Sequence, residues 1–247
     1  MAIFEHLEQG TRTGGPAASA IIILHGYGSN AERSMASGAF LGKAFPDAHI
    51  YAPYGTFPHT AFLDPKSEGM STEPSPGRFV WYHRYSDETR QEGLLETGAK
   101  LDAYVEECRA AHGLERSQVA VIGISQGAIT VLNCLPRFDK PIGAAIAHSG
   151  YLFAPDALAW RNTAVLEFKA QVRSHTPTSL IHGTADYTLP WQTALEASNF
   201  LAELETETEF HLLSGLKHAV VEERSQTLIA EYIRRHVYAK TAVAAPA

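Results

Sequence analysis

The chain is short of cysteine, of long apolar runs and of positive charge, and each shortage removes a class of protein. Two cysteines, Cys108 and Cys134, in 247 residues cannot build a disulfide scaffold or a metal site of their own. The longest clean apolar run, Ala20 to Leu24, falls far short of the ~20 residues that cross a bilayer, so no membrane insertion is expected. Basic side chains number 20 against 27 acidic, a net charge of −7. Such a balance lacks the clustered Lys and Arg that displace counterions from nucleic acid, and it gives no pull toward anionic lipid. Nucleic acid is therefore excluded as a partner. The 12 histidines show no H-x-x-x-H or other ligand spacing, so neither a metal nor a cofactor is expected. Met1 to Gly10 carries Glu5 and Glu8 and lacks both a basic n-region and an apolar h-region, which points to a cytoplasmic protein.

What is present is ordinary for a folded chain. Hydrophobic residues make up 45% and charged residues 19%, which excludes disorder as the main state. Short apolar runs recur: Ser19 to Leu24, His49 to Ala52, Val119 to Ile124, Ile142 to Ala147 and Ser179 to His182 read as strands buried on both faces. Between them lie helical stripes, Leu94, Gly98, Leu101, Val105 and Cys108 in one, and Val221, Leu228, Ile229, Tyr232 and Ile233 in the last. This alternation predicts one α/β domain over residues 1–240, a mostly parallel sheet with helices on both faces, followed by a frayed Ala-rich tail at 241–247. One segment breaks the rhythm. Pro53 to Gly77 is rich in Pro, Gly and Ser and predicts a long loop. Its aromatics, Tyr54, Phe57 and Phe62, lead into Phe79, Trp81 and Tyr82.

Gly123-Ile124-Ser125-Gln126-Gly127 fits G-x-S-x-G, with a strand before it and a helical pattern after it. Small residues flank such a serine because the strand-to-helix turn is sharp, and the turn exposes the hydroxyl at the carboxyl end of the sheet. A serine hydroxyl needs a base, and the base needs an acid to orient it. Asp186, after the strand ending at His182, and His218, after the strand pattern Glu209 to Leu213, fall on loops at the same edge. Asp139 and Asp156 are rival acids that follow strand ends less directly. His25-Gly26-Tyr27-Gly28 follows the first buried strand, where the Tyr27 N–H can join that of Gln126 as an oxyanion donor. His25 and His182, before glycines at strand ends, read as residues that tie loops together.

These residues carry a resemblance. LHGYGSN, GISQGA, AHSGYLF, HGTADYTLP and GLKHA, in this order and spacing, resemble the phospholipase/carboxylesterase family of α/β-hydrolases, relatives of the acyl-protein thioesterases, across residues 18 to 236. The resemblance implies Ser125 as nucleophile, Asp186 as acid, His218 as base, and Tyr27 and Gln126 as oxyanion donors. It also implies a serine esterase on small-molecule esters, with thioesterase or lysophospholipase activity as runner-up and a homodimer left open. Two stretches depart from the compact thioesterases, Pro53 to Trp81 and Phe153 to Ser174, both longer.

For the acyl group the expected walls are Trp81, Phe79 and Tyr54. A net charge of −7 disfavours anionic substrates at long range, although a local patch could override that, and Arg78 reads as a solvated charge; neutral esters of short to medium chain are therefore expected. Two rival readings stand beside this one. Gly26 to Ala31 matches a dinucleotide-binding turn, with Asp47 about twenty residues on. A non-catalytic module on the same fold is the other, although no triad member is missing.

Overall fold

The structure, a computed structural model, describes residues 2–60, 74–153 and 169–239. Its strands are β1 (His6–Gln9), β2 (Ser19–Leu24), β3 (Ala48–Pro53), β4 (Phe57–Thr60), β5 (Pro74–Val80), β6 (Val119–Ile124), β7 (Ala144–His148), β8 (Thr178–Gly183) and β9 (Thr208–Leu213). Seven of them form one sheet in the order β1-β3-β2-β6-β7-β8-β9. All neighbours run parallel except β1, which lies antiparallel on β3 at the edge. The helices are α1 (Ala31–Ser37), α2 (Leu41–Ala44), α3 (Asp87–Ala110), α4 (Gln126–Cys134), α5 (Trp191–Glu203) and α6 (Glu223–Ile233).

Strand β2 is buried at every position because both faces of the sheet are covered. Successive side chains alternate sides: Ile22 and Leu24 join Leu101 and Val105 of α3 and Ile129 of α4, while Ile21 and Ile23 join Ile229 and Ile233 of α6. Helix α3 starts where Ser86 caps it, its hydroxyl accepting the Thr89 N–H while the Thr89 hydroxyl accepts that of Ser86. Its buried positions include Leu94, Leu101, Val105 and Cys108 of the expected stripe. Strand β7 begins two residues later than the sequence pattern suggested, since the Ile142 N–H goes to the Thr176 hydroxyl instead of a ladder partner. Among the described residues, no helix is long and apolar enough to cross a membrane.

The proline-rich segment departs from expectation. Instead of a continuous loop it holds a small antiparallel pair, β4 with β5, outside the main sheet. Pro58 lies opposite Phe79, in a two-stranded ribbon where every strand is an edge and a missing N–H is tolerated. Phe62, Asp156, most of the second long stretch and the tail at 241–247 lie outside the described residues.

Trp81, expected as a pocket wall, is a core residue, 0% exposed, between Val80 and Tyr82 at 1% each. After β5 the chain runs between the end of β2 and the start of α4. There the indole N–H donates to the His25 carbonyl at 2.8 Å, and the ring meets Phe4 edge-on at 5.9 Å and His25 at 4.9 Å. Trp81→Ala should therefore destabilise the fold by roughly 3–5 kcal/mol, the cost of emptying a large aromatic site, read as a lowered urea midpoint. A midpoint equal to wild type would put the ring back at the surface.

Candidate active site

Strand β6 delivers Ser125 into α4 through a strained turn. Ser125 has φ 55° and ψ −114°, outside the conformations L-residues favour. The turn closes only because its flanks lack side chains: a Cβ on Gly123 would stand 2.3 Å from the Gly127 carbonyl oxygen, and one on Gly127 2.4 Å from that of Leu24. The Ser125 N–H is taken by the His148 carbonyl at 2.9 Å.

Ser125 Oγ lies 2.9 Å from His218 Nε2, and His218 Nδ1 lies 2.7 Å from Asp186 Oδ2. The structure thus brings together the three side chains singled out in the sequence. With Nδ1–H donating to the carboxylate, Nε2 is left to accept the serine proton. Asp186, not Asp139, is the acid in contact; Asp139 pairs with Arg173. Asp186 Oδ1 accepts the N–H groups of Thr188 and Leu189, at 3.0 and 2.9 Å. Burial pushes its pKa up, but those N–H groups and the His218 ring outweigh it and hold the carboxyl below the ordinary value.

The two residues expected to donate to an oxyanion, Tyr27 and Gln126, both lie beside Ser125. A Cβ on Gly26 would touch Ser125 Cβ at 3.4 Å, so the turn carrying Tyr27 rests against the serine. The Gln126 N–H opens α4 and has no acceptor within the helix. Tyr54 and Phe79 pack on each other at 5.0 Å, and the Tyr54 hydroxyl donates to Glu32 of α1 at 2.7 Å, which ties this pair to the α1 side of the ribbon. Asp47 stands at the start of β3, at the opposite edge from Gly26, and accepts the Tyr238 hydroxyl. It is not positioned to meet a ribose at that turn. A groove of about 1060 Å³ runs along α3 past Gly98, Asp102, Arg116 and Phe138, and none of the three relay residues lines it.

Three contributors were not read from the sequence in these roles. The Gln126 side chain accepts the Trp81 N–H at 3.1 Å and donates to the Tyr82 carbonyl at 2.8 Å, tying the ribbon's exit to the elbow. Ser149, in the left-handed region at φ 56°, accepts the Ala219 N–H at 3.1 Å and so holds the His218 loop. His182, expected only to tie loops together, does so at the acid: its Nε2 lies 3.0 Å from the Leu189 carbonyl and 3.1 Å from Asp186 Oδ2. A serine after a strand end was the available signal for Ser149. No local signal marked Gln126, whose partners lie more than forty residues away in sequence.

A family model described as Phospholipase/Carboxylesterase matches residues 11–237. The chain belongs to this family. Acyl-protein thioesterase 1 of Saccharomyces cerevisiae is 24% identical over 222 residues, 89% of this chain and 93% of that protein. Esterase YpfH of Escherichia coli is 23% identical over 223 residues, 89% of this chain and 83% of that protein. Among solved structures, esterase PE8 matches with a TM-score of 0.78 at 24% identity, covering 94% of this chain and 99% of that one. SOBER1 of Arabidopsis thaliana matches at 0.70 and 20%, covering 89% and 99%. The fold is that of the α/β-hydrolases, and the family makes the chain a hydrolase of the carboxylesterase and thioesterase kind.

Two buried histidines beside this family site give it a pH signature. Burial pushes His25 and His148 down to about 4, so both rings are neutral in the native state. The His25 Nδ1–H donates to the Gly26 carbonyl at 2.7 Å, and neither ring's Nε2 has a partner among the described residues. Between about pH 4 and the unfolded value near 6.5, the unfolded chain binds protons that the native chain refuses. Stability should be full above about pH 6.5 and fall as the pH drops toward 4. Urea midpoints measured across that window check this, and a level or rising midpoint on acidification contradicts it.

Proposed function

We propose that the chain is a serine esterase that cleaves carboxylic esters of short to medium acyl length through an acyl-enzyme. The observation that carries this is the continuous relay from Ser125 through His218 to Asp186, at 2.9 and 2.7 Å, on a strained turn. Ser125 Oγ attacks the ester carbonyl carbon as its proton passes to His218 Nε2. The carbonyl electron pair moves onto oxygen, where the N–H groups of Tyr27 and Gln126 receive it. Collapse of the tetrahedral species expels the alcohol, which takes the proton from His218. Water then attacks the acyl-enzyme with His218 again as base, releasing the acid and restoring Ser125. Asp186 stays ionised throughout and stabilises the imidazolium. Apolar surface for the acyl chain is supplied by Tyr151, Phe153 and Leu189, partly buried just past the ends of β7 and β8.

A second reading, hydrolysis of acyl thioesters, is favoured by the similarity to acyl-protein thioesterase 1 over 89% of the chain. It uses the same residues, with a thiol leaving in place of an alcohol. Matched oxygen and sulfur esters compared by kcat/KM separate the two.

Ser125→Ala should abolish ester hydrolysis and fluorophosphonate labelling while leaving the urea midpoint in place. Asp186→Asn should fold and lose roughly 10⁴-fold in kcat, because the amide stabilises the wrong His218 tautomer. A purified Ser125→Ala protein within tenfold of wild-type activity would sink the assignment.

A further inference from the structure

The mouth of the site is not electrostatically neutral. Tyr27 follows Gly26, which abuts Ser125, and the residue is 38% exposed. The Arg84 guanidinium carbon stands 3.8 Å from the centre of that ring, and His59 meets the same ring edge-on at 5.0 Å. His59 belongs to the ribbon. Its Nδ1 reaches the Ser75 hydroxyl at 3.2 Å, and its pKa is lowered by burial and then by Arg78 and Arg84. The Arg84 guanidinium and the His59 imidazole therefore meet on one ring beside Ser125, and Arg78 lies on β5, the strand paired with the one that carries His59. Among the described residues, neither Arg78 nor Arg84 pairs with a carboxylate, whereas Arg90, Arg116, Arg173 and Arg235 each do. The acid on the neighbouring helix, Glu32, is engaged by the Tyr54 hydroxyl.

A guanidinium stacked on an aromatic ring is oriented without using its N–H edge, which keeps the fork that matches a carboxylate or phosphate. The chain carries a net charge of −7, so this attraction is local and acts on a molecule that has already reached the mouth. We propose that Arg84, supported by Arg78, forms an anion-recognition subsite and that the preferred ester carries a carboxylate or phosphate. This rests on the esterase reading above, deepens it by naming the substrate's charge, and departs from the neutral ester expected from net charge alone. Tyr27 then has two roles, its N–H for the oxyanion and its ring as the platform for Arg84.

The test compares matched esters by kcat/KM. Mono-p-nitrophenyl adipate against p-nitrophenyl hexanoate places a carboxylate on the acyl side. Monobutyrylglycerol phosphate against monobutyrylglycerol places a phosphate on the alcohol side. In wild type at low ionic strength, at least one charged ester should exceed its neutral partner roughly tenfold. Which pair responds identifies the anion and its side, and either supports the subsite. The ratio should fall toward one in Arg84→Gln, fall partly in Arg78→Gln, and shrink in about 1 M salt. Lys140→Gln removes an exposed charge ahead of β7, at the far edge of the sheet, and should keep the ratio. Ratios at or below one for both pairs in wild type, or a raised ratio that survives both arginine substitutions, overturn the proposal. Hydrolysis that survives Ser125→Ala overturns the esterase reading itself, and the subsite with it.

Discussion

Asp186 is a carboxylate with 6% of its surface left to solvent, and the site is organised around keeping that charge satisfied. An ionised group so far from water costs several kcal/mol unless donors replace its hydration. Two donors, the Thr188 and Leu189 N–H groups, belong to its own loop and hold one carboxylate oxygen. His182 and His218 then converge on the remaining oxygen. The His218 ring is held between that oxygen and Ser125, and Ser149 holds the loop behind it. The relay is thus a chain of constraints running from β8 through the His218 loop to β6.

Strain is concentrated on the Ser125 side. A serine held in its unusual backbone conformation costs on the order of 1–3 kcal/mol, and it persists because β6 and α4 are buried along their length. The Gln126 side chain extends that rigidity outward by binding the backbone of Trp81 and Tyr82. The serine turn, the turn carrying Tyr27 and the base of the ribbon consequently form one assembly.

The core strands could be read directly because burial on both faces leaves an unbroken apolar run, as in Ser19–Leu24 and Val119–Ile124. That Ser125, Asp186 and His218 would meet was readable because each follows a strand end at the same edge of the sheet. Strand β1, with the polar sequence HLEQ, owes its conformation to pairing with β3 and carried no signal of its own. The ribbon was hidden by its prolines. Trp81 misled because an aromatic beside a proline-rich segment looks the same in sequence whether it faces a pocket or the core. Its burial follows from contacts with Phe4 and His25, distant in sequence, that periodicity does not encode.

The ribbon is fastened at both ends. The Tyr54 N–H donates to the Glu5 carbonyl at one end, and Trp81 is locked into the core at the other. With both ends fixed in this way, β4 and β5 answer to the same core that carries Ser125, and the ribbon and the serine turn keep one geometry.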